Sequence, residues 1–336
     1  MKKILLFLFS LLIGIGLFVW IIKTVGWQEI KRAFLVFTGW QGLVILGLTL
    51  LIALIGNWKW KEILKGEDVQ ISFRSLFSPY LAGFTVMYLA PILVWGGEFF
   101  RGYVLKEKNK IPWSKGMASI IIDRILEWTA NLVVIFFGIL FFLLKIGSPP
   151  KKLAAIFGGI LFLLTVLIFF FYFKIFKRES LAKAVGRIFN HRLDSQPLEI
   201  EKEIFNFFKP KEKAMWKSFE LSFLKAGIML LRTWVLIIFL GKEISVLPAL
   251  SVLGFSYLTA MIPIPAAIGS HEAVQAFAFN SLGLGVSVGT AFAMLIRGAE
   301  LIIALAGVII LFRLGIILLK NTLFKKITNF TKNNAI

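Results

Sequence analysis

Four residues recur in the same order and at nearly the same spacing in two apolar parts of this chain. In both parts a proline precedes a glutamate by seven residues, and an arginine follows that glutamate by 26 or 25 residues. A second glutamate follows each arginine by three residues, which places the two on one face of a helix. Matching interruptions in two apolar halves are typical of a transport site at the interface of an internal repeat. The two sets are Pro91, Glu98, Arg124 and Glu127, and Pro265, Glu272, Arg297 and Glu300.

The charged residues around these positions predict a site that binds a phosphate group inside a membrane. A charged side chain at the centre of a bilayer costs about 2.5–3.5 kcal/mol, so a charge retained there is a candidate for function. An arginine presents a planar, permanently charged fork to phosphate oxygens, while carboxylates would orient that fork or meet a cationic head group. The candidate substrate-binding residues are Glu98, Arg101, Asp123, Arg124, Glu127, His271, Glu272, Arg297 and Glu300. No residue is assigned a catalytic role.

The alternative interpretation is that each arginine only offsets a neighbouring carboxylate and holds the structure together, which requires no ligand. Two further cations in the apolar segment 218–240, Lys225 and Arg232, are expected to extend to the nearer membrane interface. Asn57 and Asn131 are expected to form hydrogen bonds between helices.

Composition restricts the protein to a membrane class and excludes several chemistries. Apolar residues make up 58% of the 336 positions, and no soluble domain is visible. Because cysteine is absent, disulfides and thiol catalysis are excluded, and the two histidines (His191 and His271) are too far apart in sequence to predict a metal site. The net charge of +20 does not predict nucleic-acid binding, because the basic residues lie in loops between apolar segments.

The apolar segments predict an all-α polytopic membrane protein of about six full spans, each near the 20 residues that a bilayer requires. When the amino terminus, three loops and the carboxyl-terminal tail are placed in the cytoplasm, that side holds 27 Lys and Arg residues against 7 on the other. This bias predicts a multi-pass protein of the cytoplasmic membrane with both termini inside. The spans are about 4–22, 41–58, 117–144, 153–173, 218–240 and 288–312, and the cytoplasmic loops are 59–75, 98–116 and 174–217.

Two apolar segments begin and end on the same side of the membrane under this assignment, so each is predicted to be a re-entrant helical hairpin. Each half then has three spans and one hairpin, and an odd number of spans makes the repeat an inverted one. Irregular backbone at membrane depth must be buried in protein or line a watery cavity, which predicts a cavity between the hairpins. The predicted hairpin turns contain Pro91, Gly96 and Gly97 in the first half, and Pro263, Pro265 and Gly269 in the second.

The whole chain, residues 1–336, is interpreted as a single integral membrane domain. Its repeat halves are about 1–145 and 151–313, and 314–336 form a cytoplasmic tail. In the largest polar insertion, 174–217, apolar residues fall at helical spacing among Lys and Arg. Basic amphipathic helices on anionic membrane lipids explain that pattern, and a solvated connector explains it equally well.

At the charged positions the sequence resembles a known family. The string GGEFFRGYVLKEKNKIPWSKGMASIIIDRILE and the later PIPAAIGSHEAV with Arg297 are similar to the transmembrane region of lysylphosphatidylglycerol synthases, a flippase-like family. The resemblance covers nearly the whole chain, and its most specific parts are Gly97, Glu98, Arg101 and the helix around Arg124. It implies lipid translocation, and the soluble aminoacyl-transferase domain of the full synthases is not seen in this sequence, so lysyl transfer is not expected.

The resulting expectation is a flippase-like protein that moves a phosphate-bearing lipid head group between the hairpins, without a cofactor. Its expected partners are a phospholipid or lipid-linked substrate and anionic membrane lipids, with no nucleic acid. No nucleotide-binding loop is visible, so ATP-driven pumping is not supported. Two alternatives stay open: an intramembrane enzyme, or the membrane subunit of one, using Glu98, Asp123 or Glu272 as general base, and a scaffold for a partner transferase.

Overall fold

The computed structural model of the chain describes residues 39–89, 96–180, 195–260 and 270–333, with side chains described as far as residue 316. Every regular element in these ranges is an α-helix, which confirms the predicted all-α class. The helices are α1 (Trp40–Gly66), α2 (Phe73–Leu89), α3 (Gly96–Asn109), α4 (Trp113–Lys145), α5 (Lys151–Phe176), α6 (Ser195–Phe207), α7 (Lys213–Phe239), α8 (Val246–Ala260), α9 (Ser270–Ser281) and α10 (Val286–Asn333).

Five of the described helices are long and apolar enough to cross a membrane: α1, α4, α5, α7 and the first part of α10. They coincide with five of the six predicted spans, and the chain is therefore a multi-pass membrane protein. The first predicted span, 4–22, lies outside the described residues. Helix α10 runs on to Asn333, past the predicted end of the last span at 312, so the carboxyl-terminal tail begins as a helix.

Two pairs of shorter helices occupy the places where hairpins are predicted. Helices α2 and α3 are separated by residues 90–95, and α8 and α9 by residues 261–269. Four of the predicted turn residues lie outside the described residues: Pro91, Pro263, Pro265 and Gly269. Gly96 and Gly97 were predicted to lie in the turn, and that placement is wrong, because α3 already begins at Gly96.

Gly97 allows a close backbone contact between α3 and α2. A Cβ at this position would overlap the carbonyl oxygen of Gly83, and it would also come within 3.3 Å of the Met87 side chain. Because backbone atoms cannot move aside as a flexible side chain can, the first turn of α3 packs against α2 only with glycine here. The contact holds the start of α3, and with it Glu98, at a fixed distance from α2.

The two halves of the structure pack against each other in an equivalent way. Helix α4 of the first half contacts α8 of the second, and α10 of the second half contacts α2 of the first. A hydroxyl crosses each contact: Ser251 donates a hydrogen bond to the Gly138 carbonyl (2.6 Å), and Thr85 donates one to the Ala304 carbonyl (3.1 Å). Helices α1 and α7, one from each predicted half, also pack against each other. These contacts join the two predicted halves of the chain.

The described part of the 174–217 insertion packs on the protein. Ile204 and Phe207 of α6 are buried and belong to one apolar cluster with Ile63 of α1 and Ile122 of α4. The apolar face of this helix is therefore covered by protein, while its placement on anionic membrane lipids stays a prediction. Burying a side chain such as Phe207 stabilises the packed position by about 1.5–3 kcal/mol. Residues 181–194, the other amphipathic stretch, lie outside the described residues.

Candidate functional site

Each half contains an arginine that binds the carboxylate in the first turn of a short helix. Arg124 of α4 pairs with Glu98 of α3 at 2.6 Å, and Arg297 of α10 pairs with Glu272 of α9 at 2.8 Å. Both carboxylates lie in the first turn of their helix, where free N–H groups and the helix dipole favour an anion. His271 is half-buried beside Glu272. The arginine and the glutamate of each half, which have the same spacing in the sequence, therefore form the same kind of ion pair in the structure.

The second glutamate of each half receives a cation from a central helix. Lys59 of α1 lies 3.7 Å from Glu127, and Arg232 of α7 lies 3.1 Å from Glu300. Arg232 also donates a hydrogen bond to the Thr49 hydroxyl of α1 at 3.1 Å, so it joins the two halves. The predicted pair of Arg124 and Glu127 is present at 3.4 Å.

Two cations that were predicted to extend to the membrane interface instead point into the protein. Lys225 pairs with Glu127 at 2.5 Å, and Arg232 is buried with only 4% of its surface exposed. Lys225 pairs with a carboxylate of α4 and Arg232 with one of α10, and α7 itself packs against α1 and α4. That earlier expectation is wrong because it treated α7 as a lipid-facing helix.

Next to these residues lies a buried ion-pair network. Asp123 forms salt bridges with Lys59 at 2.8 Å and with Arg101 at 3.1 Å. The Arg101 guanidinium also lies over the Trp60 ring, 3.9 Å from its centre. Such a stack strengthens the hold on a desolvated cation. Lys59 was assigned to a loop from its sequence, and that assignment is wrong, since α1 continues to Gly66. The apolar spacing of Trp60, Ile63 and Leu64 is the signal of that continuation.

A cavity of about 160 Å³ lies among these charges and between the two halves. Five of the predicted site residues line it: Arg101, Asp123, Arg124, Glu127 and Glu300. Lys225 and Arg232 line it as well, although neither was predicted as a site residue. Of the other predicted residues, Glu98 stands behind Arg124, while Glu272, Arg297 and His271 form a separate group. The remaining walls are formed by Thr49, Ile52, Ala53, Tyr80, Gly83, Phe84, Met87, Gly97, Met229 and Ile303.

Within the part of the chain that the structure describes, three arginines that line the cavity have buried N–H groups without a protein acceptor. These groups are Nε and Nη2 of Arg101, Nε of Arg124 and Nε of Arg232. Buried donors are almost always paired in proteins, so unpaired donors on three arginines that line one cavity are candidates to bind an acceptor from outside the chain. Their paired nitrogens are held by carboxylates and, in Arg232, also by the Thr49 hydroxyl, which fixes the guanidinium groups in place. The cavity can therefore accept the oxygens of an anionic group.

The acidic groups of the site do not form a metal centre. Within the described ranges, no three His, Asp or Glu side chains come together in a geometry that could hold a metal ion. Each carboxylate of the cavity instead faces a basic side chain: Asp123 faces Lys59 and Arg101, Glu127 faces Lys225, and Glu300 faces Arg232.

Comparison with known proteins agrees with this arrangement. Residues 7–307 match the family described as the lysylphosphatidylglycerol synthase transmembrane region. A UPF0104 membrane protein of Methanocaldococcus jannaschii is 23% identical over 264 residues, which cover 74% of this chain and 77% of that protein. A UPF0104 membrane protein of Pyrococcus horikoshii is 26% identical over 318 residues, covering 88% of this chain and 92% of that protein. No solved structure matches the chain.

The family match extends over most of the chain and contains all the ion pairs of the cavity. The family is described as a transmembrane region, and five described helices of this chain are long and apolar enough to cross a membrane. The chain therefore belongs to the family of the lysylphosphatidylglycerol synthase transmembrane region.

Proposed function

We propose that this protein moves a phosphate-bearing lipid head group across the cytoplasmic membrane through the cavity between its two halves. The observation that carries the proposal is that Arg101, Arg124 and Arg232 line that cavity and have N–H groups without an acceptor among the described residues. A phosphate offers several oxygens, and Arg101, which has two such N–H groups, could bind two of them at once.

The cavity is prepared for such a group before the group arrives. Carboxylates already hold Arg101 and Arg124 in position, so little side-chain freedom is lost when a phosphate binds. The volume of about 160 Å³ is more than ten times the roughly 10–15 Å³ that a single water needs, and it suits a head group whose acyl chains remain outside.

The repeat supports transport over chemistry at one fixed site. Alternating access requires two equivalent gates around one binding site, and the two halves supply the equivalent pairs Arg124–Glu98 and Arg297–Glu272. In this proposal the loops 98–116 and 174–217 and both termini face the cytoplasm, as the distribution of basic residues indicates.

Reconstitution tests this function directly. We expect proteoliposomes containing the purified protein to expose fluorescent phospholipid of the inner leaflet to an impermeant quencher faster than protein-free liposomes do. Arg232→Gln, which removes a cavity guanidinium, should slow this movement about tenfold or more, because hydrogen bonds to a charged group contribute about 1.5–3 kcal/mol.

Lys217→Gln is the matched control, because Lys217 lies on the same helix but is exposed and pairs with Glu62 outside the cavity. It should move lipid at the rate of the unmodified protein. Equal rates in liposomes with and without the unmodified protein, for every phospholipid tested, would overturn the proposed function.

A further inference from the structure

The charges of the two halves match each other position by position. Four pairs of equivalent residues, each 173 or 174 positions apart, supply two cations and two carboxylates to each half. Their contacts are equivalent too, as the pairs Arg124–Glu98 and Arg297–Glu272 show. The charges within each set sum to zero. The equivalent pairs are Lys59 and Arg232, Glu98 and Glu272, Arg124 and Arg297, and Glu127 and Glu300.

The first half adds one more cation and one more carboxylate, and these two cancel. Arg101 and Asp123 are both buried and pair with each other at 3.1 Å. The positions equivalent to them in the second half hold Gln275 and Ile296, which carry no charge. The first half therefore remains neutral with these residues included.

Lys225 has no charged residue at the equivalent position of the first half. The equivalent position in the first half, 173 residues earlier, is Ile52, and both residues line the cavity. Lys225 pairs with Glu127, but Glu127 already has Arg124 at 3.4 Å and Lys59 at 3.7 Å. The charged groups described above therefore leave one positive charge without a compensating carboxylate, and that charge enters with Lys225.

We propose that Lys225 sets the charge selectivity of the cavity, which accepts a head group with one net negative charge in preference to a zwitterionic one. This inference rests on the proposed function and specifies its substrate class as a phosphodiester monoanion. An uncompensated charge in a low-dielectric interior is costly, and a monoanionic ligand removes that cost. A zwitterion carries its own cation into the cavity and leaves the excess positive charge in place.

Binding of two short-chain lipids to the purified protein in detergent tests the selectivity without requiring transport. Dihexanoyl phosphatidylmethanol carries one negative charge, and dihexanoyl phosphatidylcholine has the same phosphodiester with an added quaternary ammonium. The unmodified protein should bind the first about tenfold or more tightly than the second. An unpaired charge at membrane depth, without screening, would correspond to a larger affinity ratio than this one.

Three variants of the cavity separate the charge of Lys225 from its packing. Lys225→Ile, which installs the residue of the equivalent position, should reduce the ratio to near one. Lys225→Arg should keep it, because the charge is retained. Glu127→Gln combined with Lys225→Ile restores one excess positive charge and should restore the preference for the monoanion. Lys217→Ile, which removes an exposed cation of the same helix, should leave the ratio unchanged.

The outcomes distinguish this inference from the proposed function. If the lipids bind and move but Lys225→Ile keeps the preference for the monoanion, the role of Lys225 is overturned while lipid movement stands. A double variant that folds, as judged by its thermal midpoint, and binds both lipids equally would also overturn it. If the unmodified protein binds neither lipid, both the inference and the proposed function fail.

Discussion

Arg124→Lys is expected to slow lipid movement in proteoliposomes strongly while leaving the protein folded. Arg124 holds Glu98 and Glu127 with its outer nitrogens, and its Nε has no acceptor among the described residues. A lysine keeps the positive charge that offsets these carboxylates, but its single ammonium nitrogen does not replace the additional N–H group at Nε. Loss of one charge-assisted hydrogen bond corresponds to about 1.5–3 kcal/mol, so the rate should fall about 10- to 100-fold. The measurement is the initial rate of fluorescent-lipid exposure, with the thermal midpoint measured on the same preparation.

The double variant Arg124→Gln with Glu98→Gln separates binding from structural pairing. It removes one cation and the carboxylate closest to it, so the net charge is unchanged, while Glu127 keeps Lys225 and Lys59. If Arg124 only offsets Glu98, this variant should be stable and should move lipid at the full rate. We expect a stable protein that no longer moves lipid. If the double variant moved lipid at the rate of the unmodified protein, Arg124 would have only a structural role.

Asp123→Asn should be the most destabilising single change in the network. Asp123 is buried and compensates Lys59 and Arg101, neither of which reaches water. Removing one partner of a buried ion pair costs about 3–5 kcal/mol, because the remaining charge is left without compensation. Thermal unfolding of the purified protein in detergent should therefore show a clear fall in midpoint relative to the unmodified protein.

Adding Arg101→Met to Asp123→Asn should recover most of that stability. The second change removes the cation that lost its carboxylate, while Lys59 keeps Glu127 at 3.7 Å. Lipid movement should nevertheless stay low, since Arg101 supplies two of the unpaired N–H groups of the cavity. A double variant no more stable than Asp123→Asn alone would show that Arg101 stabilises the fold through its stack on Trp60 and not through its ion pair.

Part of the pairing within the first half could be predicted from the sequence, because an arginine and a glutamate three residues apart share a helical face. This spacing predicts the pair Arg124–Glu127, which is present at 3.4 Å. The pairs Arg124–Glu98 and Arg297–Glu272 join residues of different helices and do not follow from that spacing, and Glu300 pairs with Arg232. The spans were predictable for a similar reason, since the bilayer requires a long apolar helix wherever it is crossed.

The contacts between the halves could not be predicted from one sequence. Lys225 and Arg232 lie on an apolar helix with no signal that marks which face meets protein and which meets lipid. Their partners, Glu127 and Glu300, are 98 and 68 residues away in the chain. Lys59 was missed because its neighbours Lys61 and Glu62 resemble a loop in composition, although α1 continues through them. Tertiary packing, and not local sequence, decides these positions.

Photo-crosslinking from inside the cavity tests the central claim most directly, namely that a lipid phosphate head group occupies this space. Phe84 lines the cavity, so replacing it with the photoreactive p-benzoylphenylalanine keeps an aromatic ring there. Phe162 of α5, which is 71% exposed, provides the matched position on the lipid-facing surface. After irradiation in proteoliposomes, mass spectrometry should find phospholipid attached at both positions. An added soluble phosphodiester, dimethyl phosphate at high concentration, should reduce the attachment at position 84 and leave position 162 unaffected. Attachment at 162 alone, or attachment at 84 that dimethyl phosphate does not reduce, would contradict a phosphate-binding cavity.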